Sequence, residues 1–398
     1  MDIVLVNGRV LLDRGLEDGV AVRLSGGRIA AIGRVEDVGS GAVRRDLEGQ
    51  LLLPGFIDLQ VNGGAGVLFN DNPTPEGIAE IGRAHRRFGT TGFLPTLISD
   101  DLEIVALAIE AARTAMLAET PGVLGVHIEG PFLNVRRKGI HDPSKFRELD
   151  AGLIPLLSSL GTGRTLVTLA PEKTRPEVIT ALVKAGVVVS AGHTNASYST
   201  VRTALDHGLS AFTHLFNAMS QLTSREPGVV GAALEDQSSW CGIIVDGLHV
   251  DPTVLKIALK CKPLDRFVLV TDAMPSVGMT GKAFTLQGRL ITVKDDICVD
   301  EHGTIAGSNL DMAGAVRNAM HMLGLDLETA VRMASRNPAE QMGLGHELGR
   351  IAPGYRADLV MATEGLEVLE TWIGGEESAE SASGAPASRA MKAAHGPV

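Results

Sequence analysis

"VVVSAGHTNASYSTVRTALDHGLSAFTHLF", residues 187–216, decides how this chain folds. It opens with an unbroken apolar run, passes through Gly-His-Thr-Asn, continues with a helix-like segment at 197–207, and meets Gly208 before a second apolar run. A strand that is apolar throughout suits a parallel sheet covered on both faces. Gly208 after "DH" suits a helix C-cap. The stretch therefore reads strand–helix–strand.

The same unit recurs. Eight runs read as buried strands: "GFIDLQV", "GFLPTLI", "VLGVHIE", "TLVTLA", "VVVSAGH", "SAFTHLF", "CGIIVD" and "RFVLVTD". Helix-like segments at 75–88, 101–118, 175–185 and 197–207 lie between several of them. Strands alternating with helices predict an α/β fold, a (β/α)8 TIM-like barrel over residues 54–344, with an open doubly wound sheet as the alternative. Residues 1–53 and 345–375 carry short β-type runs and glycine turns. Neither stretch is long enough to stand alone, so the two ends are expected to pair as a small β-sandwich domain. An inserted hairpin is expected at 284–308. Residues 376–398, rich in Ala, Ser, Gly and Pro, read as a disordered tail.

Composition narrows the function. The chain has 398 residues, 44% of them hydrophobic, and a formal charge of −11. Such a charge argues against a broad nucleic-acid surface, and the short basic run "NVRRKG" does not change that. Three cysteines lie far apart with no CxxC, as a reducing cytoplasm permits. The N-terminal apolar run stops at Asn7, so neither a signal peptide nor a membrane span is expected.

In a barrel of this kind reactive groups stand at the C-terminal strand ends. Those ends read "HIEGP", "AGHTN", "THLFNAM", "DGLH" and "TDAM", and supply Glu129, His193, His214, Asn217, Asp246, His249 and Asp272. Singly, each could be a satisfied polar residue or a turn cap; one barrel mouth would gather them all. Two imidazoles and a carboxylate suit a catalytic divalent metal with a position open for water. No HExxH helix and no GxxxxGK[ST] loop is present. His127 shares a strand face with Glu129 but lies deeper, as support. His85, His207, His302, His321, His346 and His395 read as structural or neutral. At the end of the first strand, Gln60 and Asn62 sit two apart on one side, amides in a place suited to a pocket.

Taken together, "LPGFIDLQVNG", "HIEGPFLN", "KGIHDP", "AGHTNA", "THLFNAM", "REPG", "DGLHVD", "LVTDAM" and "IAGSNL" closely resemble the N-acetylglucosamine-6-phosphate deacetylases of the amidohydrolase superfamily, from the first strands to "LGRIAPGYRADLV". The resemblance implies metal-dependent hydrolysis of the N-acetyl group of N-acetylglucosamine 6-phosphate, in amino-sugar catabolism or cell-wall recycling. It implies that Glu129, His193 and His214 hold one divalent metal ion per chain, zinc first, with iron, manganese or cobalt also suited. Asp272 is then the general base and acid, and His141 polarises the acetyl carbonyl. Arg225 and His249 bind sugar or phosphate, with the phosphate pocket completed across a homodimer interface. Asn217, Ala218, Ile140, Ile305, Ala306 and Gly307 line the sugar pocket. Many amidohydrolases carry His-x-His after the first strand and hold a second metal there; Gln60 and Asn62 place this chain in the single-metal branch. A galactosamine isomer, an acylated amino acid and an inactive scaffold remain as alternatives. The expected partners are a small phosphosugar and a second copy of the chain, without nucleic acid or membrane.

Overall fold

The computed structural model describes residues 2–281, 283–294 and 297–378. Eight parallel strands pair in chain order: Phe56–Val61, Thr90–Ile98, Gly125–Glu129, Arg164–Leu169, Val188–Ala191, Ala211–Phe212, Trp240–Ile243 and Phe267–Leu269. Every residue of the first two is buried, as parallel strands covered on both faces must be. Helices pack outside them. Pro75–Arg86 starts at Thr74, whose side chain accepts from Gly77 N, and has Pro75 in its first turn. Tyr198–Asp206 starts at Ser197, whose side chain accepts from Thr200 N. Its C-cap is His207, and Gly208 follows with φ +101°.

The first and eighth strands close the ring, which removes the open-sheet alternative. Val61 bridges Ala273 in parallel, and the N–H groups of Asn62 and Gly63 both donate to Ala273 O, at 2.9 and 3.1 Å. Below them the fully buried Asp58 carboxylate accepts from Thr271 N, Thr271 Oγ1 and Gln60 N. Burial pushes the Asp58 carboxyl up to about 7 despite these three donors.

The two ends of the chain meet in one sheet of eight strands. Leu51–Pro54 pairs antiparallel with Leu359–Ala362 and parallel with Ile3–Leu12. The sheet folds over until its far edge returns: Ile29 N donates to Tyr355 O and Ala357 N to Gly27 O, each at 2.9 Å. Leu5, Val22, Ile29, Leu52, Leu359 and Trp372 fill the core between its layers, giving the small β-sandwich. Two expectations change here. Glu376–Glu377, placed in the tail by composition, form a strand paired with Trp372–Ile373, and Arg86 Nη2 donates to Glu376 O at 2.7 Å. The rest of the expected tail, from residue 379, lies outside the described residues. The inserted hairpin is a four-stranded antiparallel meander, Ala283–Leu286, Arg289–Lys294, Ile297–Val299 and Ile305–Ser308. Its apolar underside packs Leu286 and Ile291 with Ile98, Ile140 and Met274 at the barrel mouth.

The seam generates a stability test. Asp58→Leu leaves three buried donors without their acceptor, and at ~1–3 kcal/mol each the loss should reach roughly 3 kcal/mol or more by urea unfolding. Asp58→Asn keeps an acceptor oxygen and should cost little. The folded carboxyl titrates near 7 against an ordinary 3.8, so the wild type should lose stability relative to Asp58→Asn as pH rises through that interval. Urea midpoints of both proteins at about pH 5 and about pH 8 test the sign; a wild-type advantage that grew with pH would refute it.

Candidate active site

The strand ends deliver their polar residues to one buried point. Glu129 ends the third strand; His193 and His214 lie just past the fifth and sixth. His214 Nε2 is 2.9 Å from Glu129 Oε1 and 3.0 Å from His193 Nε2, and His193 Nε2 is 3.2 Å from Glu129 Oε1. Among the described residues these three form the group of His, Cys, Asp and Glu able to share an ion. Ligand atoms bound at ~2.0–2.1 Å to one tetrahedral ion lie roughly 3.3–3.4 Å apart, so the donor set fits a divalent cation with little movement. His193 Nδ1–H donates to Arg137 O at 2.8 Å, which leaves the Nε2 lone pair facing the centre. Burial raises the Glu129 carboxyl, but its bonds to His193 and His214 prevail and hold it well below the usual range. Burial lowers the His214 imidazole, and Glu129 more than reverses that.

Asp272, just past the eighth strand, faces this cluster. Asn62 Nδ2 donates to Asp272 Oδ1 at 2.6 Å. Gln60 Nε2 donates to the same oxygen and to Glu129 Oε2, both at 3.1 Å. The two amides at the tip of the first strand therefore grip the carboxylates. Burial, then the nearby Glu129 charge, raise Asp272 to about 6. His193, His214 and Asp272 all have positive φ, +47°, +34° and +53°. Non-glycine residues held there are strained, and such strain gathers at functional sites.

His141 completes the ring of groups. Its Nδ1 lies 3.3 Å from Ser99 N and 2.8 Å from Ser99 Oγ. A backbone N–H can only donate, so Nδ1 is the acceptor and Nε2 carries the proton of the neutral ring. Burial first, then His193, hold the His141 imidazole well below its ordinary value, so it stays neutral.

These groups open into a cavity of about 280 Å³. Ile140, Asn217, Ala218, His249, Ile305, Ala306 and Gly307, the residues that the resemblance implied for the sugar, are among those that line it. A Cβ on Gly307, whose φ is +72°, would lie 2.6 Å from Met274 Cγ and 2.8 Å from the Asp272 backbone carbonyl oxygen, so the wall packs tightly against the Asp272 main chain and the Met274 side chain. His249 Nδ1 meets Asp246 Oδ2 at 2.6 Å, leaving its other ring nitrogen free. Arg225 is not brought to this cavity; it lies on an exposed segment, 221–226. Gln60 is buried behind the wall. His127 sits under the site between Thr96 Oγ1 and Thr168 Oγ1.

Ile98, Gly139, Met274 and Thr304 also line the cavity and escaped the sequence analysis. So did Ser99, the partner of His141. Its position one residue beyond the second strand was a usable signal. The Arg137 carbonyl offered none.

A buried His-His-Glu cluster opposed by a carboxylate, at the C-terminal mouth of a (β/α)8 barrel, defines a metal-dependent hydrolase. The model of the amidohydrolase family matches residues 51–377. A Shewanella N-acetylgalactosamine-6-phosphate deacetylase is 45% identical over 82% of this chain and 82% of its own length. A Haemophilus influenzae N-acetylglucosamine-6-phosphate deacetylase is 36% identical over 89% and 94%. The crystal structure of the Pasteurella multocida N-acetylglucosamine-6-phosphate deacetylase superposes with a TM-score of 0.92 at 35% identity, covering 96% of this chain and 100% of that one. This chain belongs to the amidohydrolase family.

Removing the Asn62 donor should raise the Asp272 pKa, because that bond favours the charged form. The acid limb of the hydrolytic kcat/KM profile should then move to higher pH in Asn62→Ala. The shift expected is roughly one unit, from ~1.5 kcal/mol for a bond to a charged acceptor. A limb that stayed in place would show that Asp272 is not the group titrating.

Proposed function

We propose that this protein hydrolyses the N-acetyl group of N-acetylglucosamine 6-phosphate, giving glucosamine 6-phosphate and acetate, in amino-sugar catabolism. The observation that carries this is the Asp272 carboxylate, held by two amide donors and facing both the ligand cluster and His141 across one small cavity. The names of the relatives point the same way.

Glu129, His193 and His214 would hold one divalent ion, with zinc the first candidate. When bound, it would supply Lewis-acid polarisation and lower the pKa of water. The protein groups do the rest. Asp272 accepts a proton from the attacking water as the C–O bond forms. His141 Nε2–H donates to the developing oxyanion, a contribution often worth about 10²–10³ in rate. Asp272 then gives its proton to the departing nitrogen as the C–N bond breaks. Asn62 and Gln60 keep the carboxylate aimed through both transfers.

The cavity wall contains no Lys or Arg among the described residues, so within one chain His249 is its basic group toward a phosphate. We assign the missing positive charge to Arg225 of a second copy, which makes the working unit a homodimer. A cytoplasmic location suits this substrate, and among the described residues no helix is long and apolar enough to cross a membrane.

A second reading, N-acetylgalactosamine 6-phosphate, is favoured by the 45% identity to the Shewanella enzyme. Comparison of kcat/KM on the two 6-phosphates separates them; a preference for the galacto epimer would replace the first.

Asp272→Asn should keep the fold and bound metal but lose at least ~10²-fold in kcat. Retention of more than about a tenth of the activity would exclude Asp272 as the base. Arg225→Ala should harm the phosphorylated substrate far more than unphosphorylated N-acetylglucosamine, since a charge-assisted contact is worth roughly 1.5–3 kcal/mol. Equal losses on both would give Arg225 a structural role.

A further inference from the structure

The meander over the mouth carries a detail that its own folding does not require. Its first turn, Gln287-Gly288, joins Ala283–Leu286 to Arg289–Lys294, and both turn residues have positive φ, +48° and +78°. Two-residue hairpins of this kind favour Asn or Asp before Gly, because a short side chain tolerates the left-handed region. Glutamine is longer and poorly suited to that backbone. Its length is used: Gln287 Nε2 donates to Ser99 O at 2.9 Å. Ser99 is fully buried. Its N–H and Oγ are the groups that hold His141 Nδ1.

We propose that Gln287 is a positioning residue for His141. This inference rests on the reading of His141 as the oxyanion donor. The chain of contacts runs from the tip of the meander, through the Ser99 backbone, to the imidazole that faces the cavity. Packing follows the same line: Leu286 and Ile291 of the meander share a buried cluster with Ile98, next to Ser99, and with Ile140, next to His141. A meander seated on the mouth thus holds Ser99 from one side while Ser99 holds His141 from the other. Loss of the Gln287 amide leaves a buried carbonyl without this donor and frees Ser99 to shift. A displacement of about 1 Å at a catalytic group can cost on the order of 10²-fold in rate.

The turn chemistry supplies the discriminating variant. Asparagine fits the backbone of this turn better than glutamine but is one methylene too short to reach Ser99. Gln287→Asn should therefore match or exceed the wild type in melting temperature, yet lose roughly tenfold or more in kcat on N-acetylglucosamine 6-phosphate, with little change in KM. Gln287→Ala should lose as much kcat. In a His141→Ala background, Gln287→Asn should cost almost nothing further, because the two residues act through one path. Wild-type kcat in Gln287→Asn would overturn the proposal. So would a full loss on top of His141→Ala, or a loss confined to KM, either of which would make Gln287 a lid contact. Wild-type kcat in His141→Ala alone would instead remove the role assigned to His141.

Discussion

The site depends on how the barrel closes. Asp58 on the first strand accepts from Thr271 at the end of the eighth, and both are fully buried. Gln60 and Asn62 follow Asp58 along the chain, through an irregularity in the pairing of the first strand, and both reach Asp272 Oδ1. Asp272 follows Thr271. The interaction that closes the ring therefore also sets the two amides against the carboxylate. A buried carboxylate is costly, and three donors reduce that cost without removing it, which is why Asp58 titrates near 7.

Above the seam two acidic groups, Glu129 and Asp272, stand at one pocket. The Glu129 charge disfavours ionisation of Asp272, and the asymmetry of their surroundings separates the two. Glu129 has two imidazoles beside it and stays charged. Asp272 has chiefly amides and rises to about 6, a value suited to taking up and releasing a proton near neutrality. Gln60 Nε2 lies 3.1 Å from both carboxylates. A neutral donor there links the acids without offering the strong ligand that imidazole would be. The amide pair in this way holds both carboxylates.

Strain and cover complete the arrangement. His193, His214 and Asp272 leave their strands in left-handed conformations that turn their side chains inward. Backbone bonds pay for this locally: Asn134 N donates to His193 O, and Asn217 N to His214 O. The meander then roofs the mouth with Ile305, Ala306 and Gly307.

The sequence by itself determined the barrel and the identity of the chemical groups. Eight apolar runs, five of them carrying His, Glu or Asp at or near their ends, are legible because burial on both faces leaves a strand no alternation, and because reactive side chains collect at strand ends. Composition misplaced Glu376 and Glu377, since a strand of two glutamates is made by its partner and not by its own propensity. Only the tertiary structure decided the Asp58–Thr271 closure, the tautomers set by the Arg137 carbonyl and Ser99, and the reach of Gln287 to the mouth. Each joins residues distant in the chain through a single directional bond. Such a bond leaves no periodicity in a sequence, because its geometry exists only once the elements have packed.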